Sequence, residues 1–372
     1  MGFSVITARH YGSGDEKALK RNVAGTILLG VITATIIIIG VFTFLKPILR
    51  FMNVPDSQFD MSYAYIRVLI VGMFITLSYN ICANTLRAIG DSLTPLLFLI
   101  LASFVNIVLD YVFILGFDAG VSGAAVATVI SQLLSVVLCV IRIKVAFPIL
   151  HISKSDFRLE KSQILQMYQS GLSMGMMSSL VNFGTVVLQT GINQLGTSII
   201  VAHTAARKVF EIWGLPGSVL GSAMATYCGQ NYGAKKYDRI REGIKSALFL
   251  GWSWAILVIL MAHTISPYLI SFIASTKNEE IIYWGTTYLK IDMSFMMICV
   301  LIVVLRNSMQ GFGDYITPIV SSGIELVGKV VFALTFVKMF DYWGIIWAEP
   351  VIWFLMVIPL IVMTVHNPIF KK

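Results

Sequence analysis

Long apolar stretches recur along the whole chain, and they restrict its possible folds more than any other feature. An α-helix needs about 20 apolar residues to cross a bilayer, and ten stretches reach that length. They lie at 23–45, 61–86, 94–115, 121–143, 163–194, 198–229, 243–272, 282–309, 317–338 and 343–365. The strands of a membrane β-barrel are shorter and alternate in polarity, so a barrel is excluded. The sequence therefore predicts an all-α polytopic membrane protein with about ten complete helices.

The composition agrees with a membrane protein. Of 372 residues, 57% are hydrophobic and 12% are charged, which is about half the charged fraction of a soluble domain. Lysine and arginine number 27 against 19 for aspartate and glutamate. Membrane proteins carry such an excess in their cytoplasmic loops. We therefore expect the lipid bilayer as the environment and no nucleic-acid partner.

A polar turn occurs twice in the same context, which indicates an internal duplication. Residues 86–95 read LRAIGDSLTP and residues 309–318 read MQGFGDYITP, an offset of 223. The Tyr-Gly pair at 11–12 returns at 232–233, an offset of 221. Landmarks in one order at a nearly constant offset are typical of secondary transporters built from repeats. We predict two pseudo-symmetric helical bundles.

The longest polar stretch lies between the two copies and suggests the domain boundaries. Residues 146–161 are the predicted cytoplasmic linker, residues 1–145 an incomplete N-terminal lobe, and residues 162–372 a six-helix C-terminal lobe. Lysine and arginine concentrate in the linker, in the loops after the Tyr-Gly pairs and at the C-terminus, so these segments are expected to be cytoplasmic. The first half has fewer spans than the second, so symmetry predicts one helix and most of another before the first residue.

Prolines mark two expected interruptions. Pro47 and Pro55 both favour a break in a helix, so residues 47–58 are predicted to form a surface segment. Pro216 is flanked by glycines within the span 198–229. A bend is expected there, and such a bend would allow movement during alternating access.

The span 94–115 carries two polar side chains, Asn106 and Asp110. A carboxylate within an apolar span is costly and indicates a functional site. The i, i+4 spacing puts both side chains on one helix face, and Thr128 in the next span can add a hydroxyl. These oxygen ligands suit Na+, and a lone carboxylate can equally bind a proton. A helix cap or an interfacial pair for Asp110 is the structural alternative.

The second copy lacks this arrangement, because Lys329 takes the place of the amide at the offset of 223. Glu325 and Lys329 are themselves spaced i, i+4, which predicts a self-neutralising ion pair. By the same spacing, Arg207 or Lys208 is expected to pair with Glu211. A structural or gating role and a substrate contact are both open for these residues.

The span 163–194 has side chains that suit a substrate cavity. Its methionines are adaptable and polarisable, which fits varied ligands, although ordinary helix packing is the favoured explanation for the methionines alone. Asn182 and Gln189 are seven residues apart and share a face that turns to a cavity or a neighbouring helix rather than to lipid. The predicted cavity residues are Met174, Met177, Asn182, Gln189, Arg207, Glu325 and Lys329.

Nothing in the sequence is typical of an enzyme site. The five histidines are scattered, and the four cysteines lie in apolar spans without a CxxC pair, so a zinc or disulfide framework is not expected. A glycine-rich phosphate loop is also absent from the sequence, which argues against ATP as the energy source. We expect no enzymatic activity and no cofactor, with an ion gradient as the driving force.

The ordered set of motifs resembles the multidrug and toxic compound extrusion (MATE) family in its bacterial form. The resemblance rests on the loop GFSVITARHYGSGDEKALKRN, the turn LRAIGDSLTP, the corner GVSGAAVATVISQ and the segment LPGSVLGSAMATYCGQNYGAKKYDRI. It covers essentially the whole chain. It implies a twelve-helix fold in two six-helix lobes, of which this sequence would match the end of helix 2 through helix 12.

The resemblance also implies a function and a cation site. Family members are antiporters that export drugs or organic cations in exchange for Na+ or H+. Their N-lobe cation site has an Asn and an Asp one turn apart on helix 5 and a Thr on helix 6, which match Asn106, Asp110 and Thr128. The aspartate of helix 1 has no counterpart in this sequence. Some members carry a second-lobe acidic residue, for which no counterpart is expected near Asn182 or Cys299.

Several alternatives stay open from the sequence. A lipid-linked oligosaccharide flippase of the same superfamily would need a basic cavity for pyrophosphate, which Arg207, Lys208 and Lys329 could supply. A form without its first helices could be unable to transport, and a membrane-embedded enzyme or receptor is a further possibility. For the antiporter we expect a monomer in the cell membrane with a cytoplasmic C-terminus. The substrate and the coupling ion are not identified.

Overall fold

The computed structural model describes residues 2–51 and 56–371, and these fold into helices joined by short loops. The helices are α1 (Gly2–Ser13), α2 (Glu16–Phe51), α3 (Asp56–Ala88), α4 (Leu93–Tyr111), α5 (Gly120–Ala146), α6 (Lys161–Ile192), α7 (Thr197–Gly233), α8 (Tyr237–Thr264), α9 (Ser266–Ile273), α10 (Glu279–Ser294), α11 (Met296–Phe312), α12 (Ile316–Val331), α13 (Val337–Phe340), α14 (Tyr342–Ile346) and α15 (Ala348–His366). The prediction of an all-α polytopic protein is confirmed.

The predicted membrane spans correspond to these helices. Eight helices in the described ranges are long and apolar enough to cross a membrane, and α10 with α11, bent by 53° at their junction, would make a ninth span. The one remaining predicted span, 198–229, corresponds to helix α7. It is not among those candidates. Three charged residues, Arg207, Lys208 and Glu211, lie in its first half.

The expected interruption at Pro47 is wrong. Pro47 lies inside α2, which continues to Phe51, and Pro55 lies outside the described residues. Pro216 likewise lies inside α7, so the bend expected there stays a prediction. Prolines are tolerated within apolar helices because local adjustments and neighbouring groups satisfy the backbone carbonyl that loses its partner.

Contacts divide the chain into two compact units. One unit is Gly14–Met167, and the other combines the residues up to Ser13 with those from Tyr168 onward. Helix α1 therefore packs with the C-terminal helices, although it belongs to the predicted lobe 1–145. The predicted functional division, with a linker at 146–161, stays a prediction.

In the Gly14–Met167 unit, α3 packs between α2 and α5, and α5 also packs on α4. The close approach of α3 and α5 depends on Gly72, where a Cβ atom would lie 2.5 Å from a methyl group of Val129. Small residues allow membrane helices to approach in this way. Tyr79 donates a hydrogen bond of 3.1 Å to the carbonyl of Pro95, which fixes the start of α4 to α3.

The duplicated turn has the same geometry in both copies. Gly90 and Gly313 end the preceding helix with φ of 102° and 98°, a conformation that glycine adopts without steric cost. The aspartate that follows each glycine accepts a hydrogen bond from the backbone three residues later, at 3.2 Å for Asp91 and 3.0 Å for Asp314. The repeat inferred from sequence is thus also a repeat of local structure.

Asp91, in the turn between α3 and α4, has a second partner. The Arg142 side chain, at the end of α5, donates from Nε to its carboxylate over 3.3 Å. Partial burial alone would raise the pKa of Asp91. The hydrogen bonds from Thr94 and Arg142 outweigh that effect and hold this pKa below its ordinary value.

The two copies also match where their helices end irregularly. A π-helical turn follows α4 at Val112–Gly116, and another follows α12 at Phe332–Phe336. Asp118 and Asp341, at the offset of 223, adopt φ of 50° and 48°. Positive φ is uncommon for a residue with a side chain, so its recurrence at equivalent positions indicates a shared backbone path.

Helix α1 is fastened to the C-terminal helices by Arg9. The guanidinium donates hydrogen bonds of 2.8 Å to the carbonyl oxygens of Gly311 and Gln310 at the end of α11. It also lies over the rings of Tyr232 and Tyr315, at 5.7 and 5.5 Å from their centroids. The last carbonyls of a helix lack intrahelical partners, so Arg9 satisfies groups that would otherwise need another donor.

Glycines bring α1 against α7 without any side chain between the backbones. A Cβ atom at Gly12 would overlap the carbonyl of Gln230, and one at Gly233 would overlap that of Arg9. Gly12 and Gly233 are 221 residues apart, the repeat offset, and so are Arg9 and Gln230. The two helices therefore meet through equivalent positions, as a local two-fold relation requires.

We expect Arg9→Ala to loosen α1. Each hydrogen bond from a charged donor contributes about 1.5–3 kcal/mol, so losing both should raise amide exchange in residues 2–13 by about tenfold or more. Hydrogen-exchange mass spectrometry measures this, with Arg241→Ala as the matched control, because Arg241 pairs with nearby Asp238 on the surface. Unchanged exchange in residues 2–13 would contradict the role of Arg9.

Candidate functional site

The unit that combines the residues up to Ser13 with those from Tyr168 onward is called the C-terminal unit. In it, five charged side chains on four helices form a continuous chain of ion pairs. Arg207 lies 3.1 Å from Glu349, Glu349 lies 3.6 Å from Lys329, and Lys329 lies 2.8 Å from Glu325. Arg306 completes the chain at 3.9 Å from Glu325. None of these side chains is more than 22% exposed. We call this set the ion-pair chain.

Helix α12 turns its polar face inward and so supplies the centre of the ion-pair chain. Ser322, Glu325 and Lys329 are buried on one face, whereas Val320 and Val327 on another face are exposed. The i, i+3 and i, i+4 spacing produces this division. The Ser322 hydroxyl accepts a hydrogen bond of 3.1 Å from Arg306, which extends the polar face to α11.

Lys329 has two hydrogen-bond acceptors and one further ion-pair partner around its ammonium group. Besides Glu325 and Glu349, its ammonium donates to the Thr185 hydroxyl on α6 over 3.1 Å. Gly184 makes room for the lysine stem, since a Cβ atom there would lie 3.1 Å from the lysine Cδ. A buried charge of this kind is tolerated because it is fully paired.

Asp292 is a further acidic residue beside the ion-pair chain. It is completely buried on α10, and neither carboxylate oxygen has a hydrogen bond of normal geometry to any described residue. Tyr288, one turn earlier, is close enough to interact with it, as are the charges of Arg207 and Lys329. With Asp292 included, three cationic and three anionic side chains are buried together.

A pocket of about 210 Å3 opens beside the ion-pair chain. Its walls come from α6, α7 and the start of α15. The lining residues are Thr185, Leu188, Gln189, Ile192, His203, Thr204, Arg207, Lys208, Glu211 and Glu349. At its buried edge His203 lies 3.2 Å from the Tyr342 hydroxyl and edge-on to Tyr288, with ring centroids 4.9 Å apart. Arg207 and Glu349 belong to both the pocket wall and the ion-pair chain.

The structure brings together four of the seven predicted cavity residues. Gln189 and Arg207 line the pocket, and Glu325 with Lys329 forms the predicted i, i+4 pair in the adjoining ion-pair chain. Their role towards a substrate stays a prediction.

The other three predicted cavity residues lie on α6 away from the lining of this pocket. Met177 accepts a hydrogen bond of 3.5 Å through its sulfur from Gln310. Met174 is half-buried and Asn182 is exposed. A cavity role for these three residues also stays a prediction.

The expected pairing of Arg207 with Glu211 is wrong, because Arg207 pairs with Glu349 of α15. Glu211 is exposed, whereas Glu349 is buried. Attraction between opposite charges is stronger in a buried, low-dielectric position. Lys208 and Glu211 take part in no ion pair among the residues that the structure describes.

The sequence analysis missed Asp292, Arg306 and Glu349. The expectation that no acidic residue lies near Cys299 is wrong, since Asp292 on α10 is close enough to interact with Cys299 on α11. The criterion that selected Asp110, a carboxylate in an apolar span, applies equally to Asp292. Applying it to every span would have found this residue from the sequence.

The predicted cation site in the Gly14–Met167 unit stays a prediction. Asn106 and Asp110 lie on α4 and Thr128 on the neighbouring α5. Asn106 Nδ2 and Asp110 Oδ1 are buried without a hydrogen-bond partner in the described ranges. The Thr128 hydroxyl donates to the Ala124 carbonyl over 3.0 Å, which leaves its oxygen able to accept. An orphaned carboxylate oxygen fits a bound cation or proton.

Comparison with known proteins identifies the family of this chain. The MatE family model matches residues 1–112 and 173–335, well over half of the sequence. The chain belongs to the MATE family. It is 26% identical to the probable multidrug resistance protein YoeA of Bacillus subtilis (strain 168), over 92% of this chain and 72% of that protein. With the multidrug export protein MepA of Staphylococcus aureus (strain MSSA476) the identity is 20%, over 94% and 76%.

Solved structures share the fold. A MATE crystal structure in the bent conformation superposes with a TM-score of 0.90 at 20% identity, over 98% of this chain and 82% of that chain. An outward-facing MATE multidrug resistance transporter gives a TM-score of 0.88 at 21% identity, over 100% and 84%. The resemblance noted in the sequence is therefore confirmed over nearly the whole chain.

We expect Lys329→Met to destabilise the protein by about 3 kcal/mol, because removing one partner leaves buried carboxylates without compensation. Thermal unfolding of the purified protein measures the loss. Lys338→Met is the control, since Lys338 is exposed. Adding Glu325→Gln to Lys329→Met should recover part of the loss, and a simple sum of the two single effects would contradict the coupling.

Proposed function

We propose that this MATE protein is a secondary active antiporter that exports drugs or organic cations in exchange for Na+ or H+. The observation that supports it most is Asp292, a completely buried carboxylate without a normal hydrogen bond to the described residues. Asp292 has charged neighbours, but its oxygens lack a hydrogen-bond donor of normal geometry among the described residues. Burying a carboxylate without hydrogen bonds is costly, so the site favours a bound proton or cation. Ionisable groups of this kind within membrane helices typically mark ion pathways.

The position of Asp292 provides a physical link between ion and substrate. Arg207 and Glu349 line the pocket, and both interact electrostatically with Asp292. Binding a proton or cation at Asp292 changes the charge that these two residues face. Exchange requires such a dependence, because one ligand must alter the free energy of the state that binds the other.

A second ion position is proposed at Asn106, Asp110 and Thr128. Its support is the orphaned Asp110 oxygen on a candidate membrane span. Drug export as the function is supported by the printed descriptions of the relatives, which include multidrug export and multidrug resistance.

The chain is a multi-pass membrane protein of the MATE family. We propose that it acts as a monomer in the cell membrane, with its C-terminus and its Gly-Asp turns in the cytoplasm. The distribution of lysine and arginine among the loops supports this orientation.

The test is ethidium efflux from cells expressing the protein under an imposed Na+ or pH gradient. We expect gradient-dependent efflux in the native protein. We expect Asp110→Asn or Asp292→Asn to reduce it at least tenfold, because the amide neither takes up a proton nor carries the charge that attracts a cation. Asp238→Asn, at an exposed surface pair, is the control.

The two variants also separate the two proposed ion positions. Loss only in Asp110→Asn would assign coupling to the Gly14–Met167 unit, and loss only in Asp292→Asn would assign it to the C-terminal unit. Absence of efflux under either gradient would contradict the exporter and turn attention to lipid-linked substrates.

A further inference from the structure

Arg207 is arranged as a receptor for a planar anion. Its guanidinium lies 4.5 Å from the centroid of the Phe210 ring, a contact that orients the plane of the group. One hydrogen bond of 3.1 Å joins it to Glu349. Arginine has five N–H donors in a fork that matches a carboxylate. The hydrogen bond to Glu349 and a close contact with Tyr288 occupy two of these donors and leave others for a second oxyanion at the pocket wall.

The Glu349 carboxylate can release Arg207 and still have a positive charge beside it. Its Oε1 atom also lies 3.6 Å from the Lys329 ammonium, so the carboxylate keeps a cationic neighbour if the guanidinium turns into the pocket. The Arg207 side chain is 22% exposed and that of Glu349 9%. The arginine is therefore the more accessible member of the pair, and an incoming anion reaches it more readily than a cation reaches Glu349.

The pocket also offers a position for a positive group. Glu211 lies one helical turn after Arg207, is exposed, and has no ion-pair partner among the described residues. The pocket volume of about 210 Å3 is below the range of about 300–1,000 Å3 typical for whole drug-sized ligands. It therefore fits the charged end of a molecule rather than the entire molecule.

We propose that Arg207 binds a carboxylate on the exported molecule, and that Glu349 occupies this position when no substrate is bound. The substrate class is then small amphipathic molecules that carry a carboxylate beside a cationic group. This inference rests on the proposed function and names a substrate class for the same pocket.

The experiment uses two dyes that share one cationic ring system, rhodamine 110 with a free carboxylate and rhodamine 123 as its methyl ester. Fluorescence anisotropy with the purified protein, at one fixed pH and Na+ concentration, gives equilibrium binding without an imposed ion gradient. Arg207→Gln should weaken rhodamine 110 binding about tenfold to a hundredfold, the effect of losing a hydrogen bond between charged groups. Binding of rhodamine 123, which has no free carboxylate, should not weaken, because removing a positive charge does not oppose the binding of a cation.

Glu349→Gln should have the opposite effect on the affinity for rhodamine 110. It removes the intramolecular carboxylate that competes for Arg207, so rhodamine 110 should bind more tightly and rhodamine 123 should not. Arg207→Lys keeps the charge but loses the fork, and an intermediate weakening is expected. Arg241→Gln is the matched control on the surface.

Three results would overturn the inference. Equal losses for both dyes in Arg207→Gln would show that the Arg207–Glu349 pair is only structural. Weaker binding of rhodamine 110 in Glu349→Gln would show that Glu349 does not compete with the substrate for Arg207. If Arg207→Gln does not fold, Glu349→Gln and Arg207→Lys together test the inference. Failure of the native protein to bind rhodamine 110 would also reject it, whereas gradient-driven ethidium efflux would still support the antiporter.

Discussion

The burial of charge among apolar helices is the constraint on which the C-terminal unit depends. Arg207, Arg306, Lys329, Glu325 and Glu349 come from four helices and compensate one another within the ion-pair chain. Each residue would be costly alone, because burial removes most of the water that would solvate it. The positions of α7, α11, α12 and α15 are thus coupled by electrostatics as well as by packing. A change of charge at one of these residues alters the electrostatic interactions of all four helices.

Much of the fold could be predicted because its signals are local. The length and apolarity of the spans specify the helices, and the duplicated turn recurs with the same glycine and aspartate geometry. The placement of α1 could not be predicted, since Arg9 contacts carbonyls that lie about 300 residues away in the sequence. Pro47 misled the prediction because proline signals breaks in water-exposed helices more reliably than within long apolar helices.

The candidate site shows the same division between local and distant information. The Glu325–Lys329 pair follows from spacing on one helix, and the structure contains it. The partner of Arg207 is 142 residues away, and no periodicity connects the two positions. Arg207 therefore seemed to match Glu211 on its own helix. Asp292 is different, because a carboxylate in an apolar span was visible in the sequence and the same rule that selected Asp110 applied to it.

The assignment of α1 to the C-terminal helices has a topological consequence. The Gly14–Met167 unit is inserted within the other unit, and the chain enters and leaves it at two junctions. One junction is the short segment between α1 and α2, and the other lies inside α6. A single cut at either junction would leave the Gly14–Met167 unit joined to one part of the other unit, either α1 or the helices from Tyr168 onward. Such double tethering keeps the effective concentration of one unit near the other high, so reassociation after separation is an intramolecular event.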